Sequence, residues 1–231
     1  MDVGLYRMVA AMRNNQQRVE IVASNIANAE TLGFKRMLHV AHGAQSWAHD
    51  QEHDQVVTGT ALDLQQGILM YTGQPYDIAL DGDGFFLVES EEGEVMTRAG
   101  MLQVSADGVL TTGDGSPVVW EGTRGRIDQN AGEVKFAGNG QVLQGGQAVG
   151  RIRIVGVEAP EDVLVDDTGR YRLRPGAEYV ESDATVNQGF LERANVQTVD
   201  ELVEMIAAQR SFEMASQTFR LISESYQRLN R

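Results

Sequence analysis

The chain has 231 residues, no cysteine, 25 glycines, four prolines and a formal charge of −14. The absent thiols remove disulfides, thiolate metal sites and cysteine nucleophiles together, and 19 Lys and Arg against 33 Asp and Glu argue against the basic face that nucleic acid or an anionic membrane surface demands. Hydrophobic residues make up 42%, enough for a core, yet no run approaches the roughly 18 apolar residues that span a bilayer.

Residues 1–32 hold a single glycine, Gly4, and no proline, which predicts a helix. Leu5, Met12, Val19 and Ile26 repeat every seven residues, with Met8, Asn15, Val22 and Ala29 three further on. This is a coiled-coil-like seam of about four heptads, with Asn15 as its one polar intruder. Arg7, Arg13 and Arg18 break the apolar stretch that a cleavable signal peptide requires, so the expectation is a chain without one. After this inner helix and its end motif, residues 1–35, the segment 36–66 fits neither helix nor strand periodicity and reads as a linker or variable loop. It holds all four histidines, His39, His42, His49 and His53. On a helix His49 and His53 would share a face, as zinc ligands often do. No glutamate follows His49, so the metalloprotease pattern is absent; the expectation is a solvated linker without metal, His49 and His53 being the residues that would have to bind one.

All four prolines and 21 of the 25 glycines lie between Gly67 and Gly189, and this middle, residues 67–190, reads as β. Short apolar stretches at 68–71, 78–80, 85–88, 108–111 and 118–120 alternate with the turn signals Asp81-Gly82, Asp83-Gly84, Asp107-Gly108 and Asp114-Gly115, predicting a series of hairpins. Arg151-Ile152-Arg153-Ile154 alternates with period two, as a strand with one wet face would. Asp77, Asp81 and Asp83 lack calcium-loop spacing. The glycine-rich segments carry neither a phosphate loop nor a dinucleotide fingerprint, and there is no nucleophile elbow. No catalytic residue and no cofactor site can be nominated, and an enzyme is not expected.

Residues 191–231, free of glycine and proline, predict a second helix, with Met205, Phe212, Phe219 and Tyr226 alternating with Ala208, Ala215, Ile222 and Leu229. Val199, Leu202, Val203 and Ile206 widen its stripe. Residues 1–32 sum to zero charge and residues 191–231 to −1, which leaves −13 in residues 33–190. The predicted fold class is α+β, mainly β: an antiparallel β-rich central domain flanked by N- and C-terminal helices that form a coiled-coil-like pair.

The first helix ends in Ser24-Asn25-Ile26-Ala27-Asn28-Ala29-Glu30-Thr31-Leu32-Gly33-Phe34-Lys35. Here Asn28 and Thr31 can satisfy free backbone groups, Gly33 can take a left-handed cap and Phe34 can dock. The wording of this segment resembles the N-terminal signature of the flagellar rod and hook axial proteins, carried by Ser24, Asn25, Ala27, Asn28, Thr31, Gly33, Phe34 and Lys35. Gly82-Asp83-Gly84-Phe85-Phe86, Thr97-Arg98-Ala99-Gly100, Asn187-Gln188-Gly189-Phe190-Leu191-Glu192-Arg193-Ala194-Asn195 and Gln209-Arg210-Ser211-Phe212-Glu213 extend the similarity along the chain. Residues 36–66 and about 120–180 match less clearly.

The resemblance implies a structural subunit of the bacterial flagellar basal-body rod, in the periplasmic space. It further implies export through the flagellar apparatus and polymerisation with other rod subunits, as self-association or a hetero-polymer, through the terminal helices. Met1-Asp2-Val3-Gly4-Leu5-Tyr6 and the short length are more similar to proximal-rod (F-type) than to distal-rod (G-type) subunits. The rival readings are the G-type subunit, a β-domain hydrolase flanked by helices, and a soluble coiled-coil adaptor. Partners expected are rod subunits and the export apparatus, with no nucleic acid and no membrane insertion.

Overall fold

Near-absence of helix breakers at both ends translates directly into two helices, α1 (Val3–Ala27) and α2 (Thr198–Leu229). The computed structural model describes residues 3–44, 55–91, 93–122, 125–166 and 169–229. Asn28 closes α1, its backbone N–H and its side-chain Nδ2 both donating to the Ser24 carbonyl, which satisfies an acceptor the helix end would leave open. Asp200 and Glu201 occupy the first turn of α2, where the helix dipole favours negative charge. No helix among the described residues is long and apolar enough to cross a membrane.

The chain divides into two units. One comprises Met1–Asn28, Met37–Ala61 and Gln197–Arg231, and contains the two helices with strands β1 (Met37–Ala44) and β2 (Gln55–Leu62), which form a two-stranded sheet. Here α1 packs against α2 and β1. The expectation of a linker over residues 36–66 is therefore corrected: it carries both strands, the second built on the β-branched run Val56-Val57-Thr58. His49 and His53 lie outside the described residues.

The other unit, Ala29–Arg36 with Leu62–Val196, is built of strands apart from one 3-10 turn at Pro160–Asp162. In chain order its strands are β3 (Leu69–Tyr71), β4 (Ile78–Asp81), β5 (Phe85–Ser90), β6 (Gly93–Thr97), β7 (Leu102–Val104), β8 (Leu110–Thr112), β9 (Val134–Phe136), β10 (Gln141–Gln144), β11 (Gln147–Arg151), β12 (Ile154–Gly156), β13 (Val163–Val165), β14 (Tyr171–Leu173), β15 (Val180–Glu181), β16 (Thr185–Gln188) and β17 (Phe190–Glu192). A six-stranded sheet, β13-β14-β6-β5-β12-β15, lies with a three-stranded sheet, β11-β10-β9, and the pairs β16-β4, β17-β3 and β7-β8. Ile78, Leu80, Phe86, Val88, Leu110 and Ile152 lie at its centre, each at most 2% exposed.

Asp107-Gly108 and Asp114-Gly115 do make tight turns, with both glycines at positive φ: Val104 pairs with Leu110 across the first, and Thr111 bridges Pro117 across the second. Asp81-Gly82 and Asp83-Gly84 do not make a hairpin. β4 pairs with β16 while β5 pairs with β6 and β12, so this turn pair hands the chain from one sheet to another. The single strand expected at residues 151–154 is likewise two ends, β11 stopping at Arg151 and β12 starting at Ile154, with Ile152 bridged to Trp120 between them. The pairings that matter most downstream join distant segments: Met70 opposite Leu191 in β3-β17 and Leu80 opposite Val186 in β4-β16.

Candidate functional site

Beyond α1 the chain runs as Thr31-Leu32-Gly33-Phe34-Lys35-Arg36 into the β unit. Gly33 lies six residues past the helix end, so its left-handed φ of 69° is not a helix cap. It is required because a Cβ there would meet the Arg98 carbonyl carbon at 2.4 Å and the Ala99 nitrogen at 2.6 Å, and because a side chain strains that conformation. The Gly33 N–H donates to the Glu192 carbonyl at 2.8 Å, and Asn195 N–H donates to the Phe34 carbonyl at 3.3 Å. Phe34 is 3% exposed.

Lys35 follows, fully buried. Its Nζ donates to Glu192 Oε1 at 2.8 Å and to the Gln65 carbonyl at 2.7 Å. The second carboxylate oxygen of Glu192 accepts from Arg98 at 3.0 Å, and Oε1 also accepts the Gly67 N–H at 2.9 Å. Arg98 reaches on to the Gly82 carbonyl at 2.7 Å, its guanidinium 5.4 Å from the Phe85 ring centroid. The Tyr171 hydroxyl accepts the Lys35 N–H at 2.6 Å and donates to the Gly33 carbonyl. Asn195 completes the cradle, its Oδ1 accepting from Arg36 N–H and its Nδ2 donating to the Asp63 and Gln65 carbonyls. Every charge here is met by an opposite charge or a carbonyl, as buried charges must be. Burial lowers the pKa of the Lys35 ammonium despite the pull of Glu192 in the other direction. Burial likewise pushes the Tyr171 phenol well above its ordinary value.

In the helical unit, Asn25 is fully buried. Its amide brackets Met37, Oδ1 accepting the Met37 N–H at 2.8 Å and Nδ2 donating to the Met37 carbonyl at 2.9 Å, and Nδ2 also donates to Glu201 at 3.1 Å. Arg18 pairs with Glu204. Later residues of α1 thus meet earlier residues of α2, and the helices run antiparallel. Of the seam residues, Met12, Val19, Ile26, Met205, Phe212, Phe219 and Ile222 are half-buried; of the motif residues, Ala27 and Thr31 are exposed. The side chains of Leu5 and Tyr226 lie outside the described ones. His39 sits on β1 with Nε2 buried and unpartnered among the described residues, its pKa lowered by burial and by Arg18. No group of three or more metal-ligating side chains occurs among the described residues.

Arg98, Tyr171, Glu192 and Asn195 are the site residues that sequence reasoning passed over. Arg98, Glu192 and Asn195 stood in motif segments but carried no local mark of burial; Tyr171 stood in none.

Three stretches of the chain match described families: residues 5–35 match "Flagella basal body rod protein", residues 79–144 "Flagellar hook protein FlgE/F/G D1 domain" and residues 187–231 "Flagellar basal body rod FlgEFG protein C-terminal". Over 100% of its length the chain is 35% identical to the flagellar basal-body rod protein FlgF of Caulobacter vibrioides, covering 99% of that protein. It is 31% identical to FlgF of Salmonella typhimurium, across 100% of this chain and 98% of that one. To the flagellar basal-body rod protein FlgG of Bacillus subtilis it is 28% identical, across 97% of each.

Proposed function

The chain belongs to the family of flagellar basal-body rod proteins and is a structural rod subunit of the proximal, F-type kind; from that premise we propose that α1 and α2 act as a coiled-coil-like pair through which it joins neighbouring rod subunits in the periplasmic section of the rod. The observation that supports this reading is the contrast between the two units: nearly neutral helices with exposed apolar residues are joined to an acidic β unit with a buried apolar core. Neutral apolar faces favour close packing between subunits, while like charge on the β unit opposes uncontrolled association.

The residues around Lys35 serve that architecture without doing chemistry. Lys35, Arg98 and Glu192 are engaged with one another and with backbone carbonyls, which supports a non-enzymatic role for the motif: it anchors the segment leaving α1 within the β unit. Ser24, Asn25 and Asn28 do the corresponding work at the helix end. Deleting the gene and imaging purified basal bodies by electron microscopy tests the assignment. The expected result is truncated rods and loss of swimming; intact rods with normal swimming would refute it.

A further inference from the structure

Within the helical unit β1 packs against α1. Met37 and His39 alternate along the strand and so share one of its faces, while Arg18 and Asn25 lie seven positions apart and so share one side of α1. Asn25 holds both backbone groups of Met37 and reaches Glu201 of α2. Arg18 donates through Nε to Glu204 of α2 at 2.6 Å, and its charge bears on His39. Strand and both helices therefore meet at each of these side chains. The amide of Asn25 is fully engaged there, whereas His39 Nε2 is buried with no hydrogen-bond partner among the described residues.

A neutral imidazole suits such a position, because one ring nitrogen then carries no proton. An imidazolium carries an N–H on both nitrogens, and a charged donor sealed from water without an acceptor is far costlier than a neutral ring. The surrounding charges add repulsion. On α1 the facing charge is Arg18; Glu20, two positions on and so on the opposite side of the helix, accepts from Gln16 Nε2 at 3.1 Å. On α2 the facing charge is Glu204, already engaged by Arg18, with Glu201 held by Asn25 a turn away. β2 has no titratable side chain, and β1 has one besides His39, that of His42. A proton on His39 thus sets two cations against the carboxylate of Glu204.

We propose that His39 is an acid-sensitive latch of the helical unit: neutral, it lets β1 lie on α1; protonated, it forces β1 away and competes with Arg18 for Glu204, which loosens α1 from α2. The latch goes beyond the rod-subunit reading and does not depend on it. Any contact made through the two helices weakens with it as the pH falls. Burial first, and the Arg18 charge second, hold the folded pKa of His39 below the ordinary 6.5. Its contribution to stability is therefore complete above about pH 6.5. Below that the unfolded chain binds a proton that the folded chain resists, and the contribution is lost.

The purified full-length chain is titrated from about pH 7.5 to about pH 5. NMR follows the His39 imidazole, assigned through its backbone, and circular dichroism follows unfolding in urea. Because α1 and α2 are the only α-helices among the described residues, the helical signal reports them. The expected result is a His39 midpoint below about pH 6.5 and a urea midpoint that falls over the same range. In His39→Gln, which has no proton to accept, that fall shrinks by about half or more. In Arg18→Gln the His39 midpoint moves up, a shift that a purely packing role for Arg18 would not produce. A native His39 midpoint at or above about pH 6.5, one that Arg18→Gln leaves in place, or an acid-side fall that His39→Gln leaves unchanged overturns the proposal. Should either variant fail to fold, the native midpoint decides alone.

Discussion

Glu192 is 1% exposed and holds two cations and a backbone N–H at once. Removing the carboxylate leaves Lys35 and Arg98 buried without an anion, whereas removing Lys35 leaves the Arg98–Glu192 pair intact. Glu192→Gln is therefore expected to lower stability by about 3–5 kcal/mol, and Lys35→Met by less, as read from urea midpoints. A larger loss for Lys35→Met would refute this ordering. Tyr171 adds a pH dependence. Its folded pKa is raised above the ordinary value of 10.0, so above about pH 10 the unfolded chain releases a proton that the folded chain keeps, and stability falls as pH rises. Lys35, lowered from 10.5, acts in the opposite sense below that value, since the folded chain releases its proton first. Tyr171→Phe is expected to reduce the alkaline loss: the drop in urea midpoint between about pH 9.5 and about pH 11.5 shrinks in the variant. An unchanged drop would show that this phenol does not carry the effect.

At the scale of elements, α1 packs against α2, and the proposed seam between them can be tested. Phe212 is half-buried on α2, and Phe212→Asp places a charge where an aromatic ring was. The expected loss is about 2 kcal/mol or more in the helical unit. Hydrogen exchange provides the readout, with α1 and α2 amides losing protection while β5 and β6 keep theirs; protection lost equally in β5 and β6 would show that the seam supports the whole chain. Both helices could be read in advance because helix-breaking residues are nearly absent from the ends and the seven-residue repeat is local. Within the β unit, the turns at Gly108 and Gly115 were legible for the same reason. β1 and β2 were hidden by a tract whose histidines and glutamines obscure any alternation. The pairings of β4 with β16 and β3 with β17 leave no local trace, since each joins segments more than a hundred residues apart; the same distance separates Lys35 from Glu192. What the motif around Gly33 could show was that something docks there. Its partners depended on the fold.

For the molecule as a whole, the net charge of −14 acts between copies more than within one. Most of it belongs to the β unit, so copies brought together by the proposed helix contacts repel through that unit. Raising salt from about 10 mM to about 150 mM shortens the screening length from roughly 30 Å to roughly 8 Å. Self-association of the purified chain, followed by sedimentation, is expected to increase over that range, and a decrease would show that attraction between charged surfaces dominates. The clasp built on Glu192 also bears on timing. Lys35 and Glu192 are 157 positions apart, and the strands nearest the beginning of the β unit pair with those nearest its end. Contacts of such sequence separation form slowly because a long loop must close first. A chain still being synthesised cannot close these contacts of its β unit until residues 190–195 have emerged.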